Sequence, residues 1–296
     1  MYNQITSNKR KSILIMTLFV IIILALGWIF GKITGYGYEG LIFAIVISIS
    51  MSLLSYFQGD KIALWTAGAI AIEKKDNPYV YRMIENLCIT AGLPLPKIYI
   101  IPDSSPNAFA CGRDPKHASI ALTTGIIEAL ENEELEGVIA HELAHIKNYD
   151  ILLMTITIVL IGIIMLLSDW LLRHFLWFRN NNNDNKGGQL GLILLIVGII
   201  LAILSPIIAE LIKLAVSRKR EFLADASGAL LTRYPEGLAR ALEKISLYKQ
   251  PLQKANHATA HLYFANPFKE KKNFLSKLFS THPPIEDRIK NLREMV

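Results

Sequence analysis

Charged residues vanish from four windows of the chain, residues 13–30, 41–57, 151–167 and 190–209. Each approaches the roughly 20 apolar residues that a helix needs to cross a bilayer. We therefore expect four transmembrane helices. Pro206 in the last window is compatible with this, because neighbouring groups can satisfy a freed carbonyl inside a membrane bundle. The polar stretches between and after the windows carry other periodicities. Pro78 followed by Val80, Ile84, Leu87 and Ala91 predicts a helix stopped by Gly92 and Pro94. Residues 97–101, 107–110 and 119–122 are short, apolar and bounded by turn formers, which suits a small sheet. Asn132 is the expected cap of a further helix whose first turn holds Glu133 and Glu134, where carboxylates favour the positive helix end.

The expected fold is thus a mainly α integral membrane protein with four transmembrane helices and an α+β polar domain. That domain is assembled from two segments, giving an anchor at 1–57, a first polar part at 58–150, a transmembrane hairpin at 151–209 and a second polar part at 210–296. Composition agrees, since 52% of the 296 residues are hydrophobic and 19% charged, and the mean hydropathy is +0.35. The formal charge of +6 is modest. Its position matters more than its size: Lys9, Arg10 and Lys11 precede the first window, and Lys213, Arg218, Lys219 and Arg220 follow the fourth. Basic flanks mark the cytoplasmic side, so both polar parts are expected there and no nucleic-acid partner is. The first window could alternatively be a cleaved signal, but its length favours a retained anchor. Residues 180–188, with their Asn run and paired glycines, read as a loop on the outer face. Cys88 and Cys111 lack any CxxC spacing, which fits a reducing compartment and gives no cysteine metal site.

The helix opened by Asn132 contains His141-Glu142-Leu143-Ala144-His145. Residues four apart share a helix face, so both imidazoles can converge on one zinc ion with Glu142 beside the open position. His257 and His261 are also spaced by four, but no glutamate follows the first and no strong helix signal surrounds them. A catalytic zinc needs a third protein ligand. A histidine three turns on is excluded, because the extended pattern would require Gly at 148 and His at 151 where the chain has Asn148 and Ile151. Glu221 is the better candidate, lying on a later helix with Asp225 one turn beyond. Two windows separate His145 from Glu221, and an even number returns both to one membrane face. Asp225 suits an acceptor that orients a ligand imidazole, because metal-bound histidines donate their other N–H to a carboxylate or carbonyl; a helix-surface carboxylate is the alternative. If the helix runs on unbroken from His145 to Ile151, the site lies about 9 Å from the apolar run.

These motifs resemble the HtpX group of the M48 peptidase family, membrane zinc metalloproteases related to the prenyl-protein peptidases of the Ste24 type. The resemblance rests on residues 107–112 (Asn-Ala-Phe-Ala-Cys-Gly), on 141–150 in the form HExxHxxNxD, on 217–225 and on 281–288 (Thr-His-Pro-Pro-Ile-Glu-Asp-Arg). It implies a zincin-like metalloprotease domain in which His141, His145 and Glu221 hold Zn²⁺ and Glu142 is the general base acting on a zinc-bound water. It also implies that His282 helps hold the oxyanion, and that Asn107 belongs to an edge strand receiving the substrate. Ordinary loop roles remain open for both residues. Cys111 stands where the family commonly has Thr, and no local histidine supports a cysteine nucleophile. The implied partners are polypeptides, above all damaged or misfolded membrane proteins at the cytoplasmic face of the cell membrane, and the lipid bilayer itself. A prenyl-protein peptidase and a non-catalytic scaffold with a structural zinc remain as alternatives.

Overall fold

In a computed structural model the described residues are 2–34, 37–164, 198, 218–248, 250–254, 262–267 and 283–295. The N-terminal hydrophobic windows become two long helices, α1 (Tyr2–Thr34) and α2 (Tyr38–Ala67). Both are long and apolar enough to cross a membrane. They pack through small residues: a Cβ on Gly27 would collide with Ala44, and one on Gly31 with the Gly37 carbonyl. Small residues at such a crossing let two backbones approach closely where lipid offers no hydrophobic drive. The outward faces keep Ile13, Leu14, Phe43, Val46 and Leu54 exposed.

The boundary expected at residue 57 falls inside a continuous helix. Asp60 and Lys61 end the apolar window, but α2 runs on to Ala67 and stops at Gly68, whose φ of 68° supplies the left-handed cap. Its last turns bury Ala63, Leu64 and Ala67 against Ile101, Phe109, Cys111 and Ala121, so the second helix is itself part of the polar domain's core.

That domain is built on a four-stranded mixed sheet of order β1-β2-β4-β3, comprising β1 (Ile70–Ala71), β2 (Lys97–Ile101), β3 (Ala108–Gly112) and β4 (Ala118–Thr123). β2 and β4 are parallel, whereas β3 lies antiparallel to β4 at the sheet edge. Helix α3 (Pro78–Ala91) starts where expected, with the Asn77 side chain accepting from Val80 N–H at 3.1 Å, and ends at Gly92 with φ 67°. A short α4 (Thr124–Ala129) leads into α5 (Asn132–Lys147). The cap of α5 is Glu131, not Asn132: the Glu131 N–H donates to Glu134 Oε2 at 2.8 Å, the reciprocal half of a capping box.

Beyond α5 the chain does not continue straight. Tyr149 takes φ 60°, and α6 (Asp150–Ile164) leaves at 83° to α5. The expected unbroken helix is therefore corrected to a bent pair, which the left-handed residue at 149 produces. Leu152, Leu153, Ile156, Leu160 and Ile164 of α6 pack on Ile15, Phe19 and Ile23 of α1. Its other side meets the sheet, where Thr155 Oγ1 accepts the Gly112 N–H at 3.1 Å. The described residues thus hold two candidate spans, or three if the bent pair counts as one. The fourth window lies outside the described residues apart from residue 198. Three further helices, α7 (Arg218–Thr232), α8 (Pro235–Leu247) and α9 (Ile285–Arg293), close over α5. One core joins α3, α5, α8 and a sheet face through Val80, Ile84, Ile120, Leu135, Ile139 and Leu242.

Candidate metal centre

Helix α5 is buried through most of its length, Gly137 to Ile146, so its histidines have no solvent to face. The four-residue spacing brings His141 Nε2 and His145 Nε2 to 3.1 Å. Helix α7 crosses closely here, because Gly228 has no side chain: a Cβ there would lie 3.0 Å from the His141 backbone nitrogen. That approach delivers Glu221, whose carboxylate oxygens lie 3.8 Å from His141 Nε2 and 3.5 Å from His145 Nε2. One donor atom from each of the three residues falls within 4.8 Å of the others, and all three residues are buried.

The far nitrogen of each ring is fixed by a carboxylate. His141 Nδ1 is 2.9 Å from Asp225 Oδ1, and His145 Nδ1 is 3.0 Å from Asp150 Oδ2. A neutral imidazole that donates Nδ1–H to a carboxylate keeps its lone pair on Nε2. Two such lone pairs and a carboxylate cannot share a buried point without a positive charge between them. Two imidazole nitrogens and one carboxylate oxygen, with room for water, are the donor set of a catalytic zinc site, and the residues present fit that ion. Without metal a proton takes the role: burial pushes His145 down, but Asp150, Glu221 and Glu142 outweigh it and hold the ring at about 9. Burial carries His141 to about 4, partly offset by Asp225. Metal binding requires the ligand nitrogens to be free of protons.

Glu142 is buried beside the cluster and is raised to about 7 by burial, with Glu221 adding and His145 opposing. The backbone of Ala110 on β3 also favours its charged form. A carboxyl poised near neutrality is suited to accepting and returning a proton.

Sequence reasoning assigned no role to Asp150 or Arg288, although both fall in motifs that it singled out. Asp150 opens α6 just past the bend and is held by the α1 residue Asn8, whose Nδ2 donates to Asp150 Oδ1 at 2.6 Å and to the Asn148 carbonyl at 3.0 Å. Arg220 Nη1 in turn donates to Asn8 Oδ1 at 3.3 Å. Arg288 is the largest fully buried side chain among the described residues and donates to both oxygens of Asp225. Burial opposes the charged form of Asp225, but Arg288 and His141 hold the carboxyl far below its ordinary range.

Asn107 lies one residue before β3 and does not reach the cluster. Its Nδ2 donates to the Ala265 carbonyl at 2.9 Å, and its Oδ1 accepts from the Ala265 N–H at 3.1 Å. His282, His257 and His261 lie outside the described residues. Cys111 is buried on β3, and burial pushes its thiol well above the ordinary value, with Asp60 and Glu142 adding. A thiol held in that form is a poor nucleophile.

The model of Peptidase family M48 matches residues 74–296. A Protease HtpX homolog of Caldanaerobacter subterraneus subsp. tengcongensis is 44% identical over 296 residues, covering 100% of this chain and 98% of the relative. Another from Dictyoglomus thermophilum is 45% identical over 294 residues, covering 99% and 94%. Among solved structures, S. mikatae Ste24p shares the fold with a TM-score of 0.51 at 19% identity, covering 99% of this chain and 67% of that one. With the family model matching residues 74–296 and relatives matching along the whole chain, the chain belongs to peptidase family M48 and is by class a metalloendopeptidase.

Proposed function

We propose that this protein is a membrane-anchored zinc endopeptidase in which His141, His145 and Glu221 hold the ion and Glu142 is the general base. The observation that carries the reading is the convergence of His141 Nε2, His145 Nε2 and the Glu221 carboxylate, with both rings oriented from behind by Asp225 and Asp150. Zinc, when bound, polarises a carbonyl and lowers the pKa of water in its open position. The chain's own groups do the rest. The Glu142 carboxylate, buried beside the cluster, takes the proton and returns it to the leaving amine. The edge strand β3 aligns an extended polypeptide through backbone groups, which gives broad sequence tolerance. His282 remains the proposed oxyanion donor.

The proposed setting is a cell membrane spanned by four helices, with the site on the cytoplasmic face. The natural substrates are misfolded or damaged membrane proteins. Basic flanks at both ends of the membrane part support the orientation, and the meeting of Glu221 with His145 supports an even number of crossings between them. The test is purification in detergent under chelation, followed by zinc addition and assay of casein cleavage and self-cleavage. Zinc should restore both activities in the wild type and neither in Glu142→Gln. A zinc-loaded wild type that cleaves nothing would favour a structural ion.

A further inference from the structure

The turn between β3 and β4 lies against α2 where that helix stops being charge-free. Phe57 is the last residue of the second apolar window, and the Arg113 guanidinium stands 5.3 Å over its ring. The turn is held in shape by Asp114, whose Oδ1 accepts the Lys116 and His117 N–H groups at 2.9 and 3.0 Å. Between turn and helix opens a cavity of about 220 Å³.

Its walls are cationic. Lys61, Lys97, Arg113 and Lys116 line it against a single carboxylate, Asp60. The three amines make no ion pair among the described residues, and Arg113 reaches only Asp114, at 3.6 Å. Ser119 of β4 also lines the cavity. It pairs with Lys97 on β2 and Cys111 on β3, so the three side chains share a sheet face. That face turns towards α2, because Cys111 Sγ lies 3.9 Å from the Asp60 carbonyl. Ser119 is 1% exposed, yet its hydroxyl has no hydrogen-bond partner among the described residues. A buried hydroxyl left alone costs free energy that a ligand oxygen can recover. Cations without counter-ions around an orphaned donor are the complement of an oxyanion.

What carries the anion follows from α2. Leu53, Leu54 and Phe57 are about half exposed and share one helix face by their spacing, and Lys61 continues that row into the cavity. Trp65 comes one turn later and is 81% exposed, a residue type enriched where a bilayer meets water. An apolar ridge that ends in a cationic cavity is shaped for an amphiphile.

We propose that this cavity binds the phosphate of an anionic phospholipid whose acyl chains lie along Leu53, Leu54 and Phe57. Arg113 and the lysines neutralise the phosphate, and Ser119 Oγ donates to one of its oxygens. The cations outnumber Asp60, which favours a net negative headgroup over a zwitterionic one. The bound lipid fixes the depth of the sheet at the bilayer surface. The inference rests on α2 crossing a membrane, for which it is long and apolar enough, and not on hydrolysis.

The test uses the full-length protein in nonionic detergent, with dioleoyl phosphatidylglycerol added to the micelles and dioleoyl phosphatidylcholine as the comparison. Acetylation of Lys61, Lys97 and Lys116 is followed by mass spectrometry. Lys290, with a side chain 74% exposed on α9, is the internal control, and Lys9, which precedes the first window and does not line the cavity, controls for micelle charge. At ten times its dissociation constant, phosphatidylglycerol should slow acetylation of the three amines about tenfold and phosphatidylcholine should not. Lys97→Gln and Lys116→Gln should each weaken binding about fivefold. Ser119→Ala should weaken it about tenfold while leaving the melting temperature of the lipid-free protein unchanged or raised, because it removes an orphaned hydroxyl. Equal protection by phosphatidylcholine, equal slowing at Lys9, or wild-type binding by Ser119→Ala would overturn the proposal. Protection by millimolar inorganic phosphate alone would assign the cavity to a soluble anion and overturn the lipid. Should a variant misfold, the footprint on the wild type decides. A spin label on Leu54→Cys, in a background with both native cysteines replaced by alanine, reports separately on α2: a label in lipid with unprotected lysines sinks this proposal alone, whereas a label in water sinks the membrane span as well.

Discussion

Asp225 and Arg288 form a two-point pair inside the protein, with Nη2 donating to Oδ1 at 2.6 Å and Nε to Oδ2 at 2.8 Å. The same Asp225 oxygen that Nη2 reaches also meets His141 Nδ1. The guanidinium thereby holds the carboxylate that sets the plane of a proposed ligand ring. Removing one member of a buried ion pair strands the other and costs about 3–5 kcal/mol. Arg288→Met should therefore lower stability by about that amount and weaken zinc retention as well. Arg288→Lys should remain impaired, because an ammonium restores the charge without the planar fork. Denaturant titration and metal analysis are the readouts; wild-type values for both variants would remove Arg288 from the site's architecture.

Glu142→Gln should lose activity by at least about 10²-fold, the lower end of what a positioned general base contributes, while keeping one zinc per chain. The ligands are untouched, and Gln retains the shape of Glu. Casein cleavage and metal content measured on the same preparation decide it. Turnover at the wild-type rate would send the search for the base to another group.

Glu221→Ala should lower zinc occupancy and activity together, since two imidazoles alone would remain to hold the ion. Equilibrium dialysis against a competing chelator separates this from Glu142→Gln, which should track the wild type. Full occupancy in Glu221→Ala would point to a different third ligand.

Orientation is best probed away from the native thiols, because Cys88 and Cys111 are both buried. Ile89 on α3 is 75% exposed, so Ile89→Cys in a background with both native cysteines replaced by alanine offers an accessible reporter. An impermeant maleimide should label it in vesicles of native orientation only after they are opened. Labelling of sealed vesicles would put the protease domain on the outer face and end the cytoplasmic reading.

The features that could be read from the sequence are those set by local spacing. His141 and His145 share a face because a helix repeats every 3.6 residues, and α3 begins and ends where Asn77, Pro78 and Gly92 dictate. Glu221 stands out in the sequence by lying on a later helix with Asp225 one turn beyond, but its distance from the histidines depends on how the two helices cross. The charge-free window ends at Phe57 although α2 runs on to Ala67, because hydropathy measures affinity for lipid and Asp60 and Lys61 are no obstacle to a helix. Asp150 gained its role only through the left-handed turn at Tyr149, which no periodicity announces. The pairing of Asn107 with Ala265 joins residues 158 apart in sequence, and only the folded chain reveals it.

The clasp among Asn8, Asp150 and Arg220 has a consequence for synthesis. Asn8 is made first, yet its amide is satisfied by residues on α6 and α7, and Arg288 comes 280 positions later (288 − 8). A chain still on the ribosome can display both histidines of α5 while lacking Glu221 and Arg288. With Glu221 as the third ligand proposed above, the metal site is complete only once the chain beyond the fourth apolar window has been made.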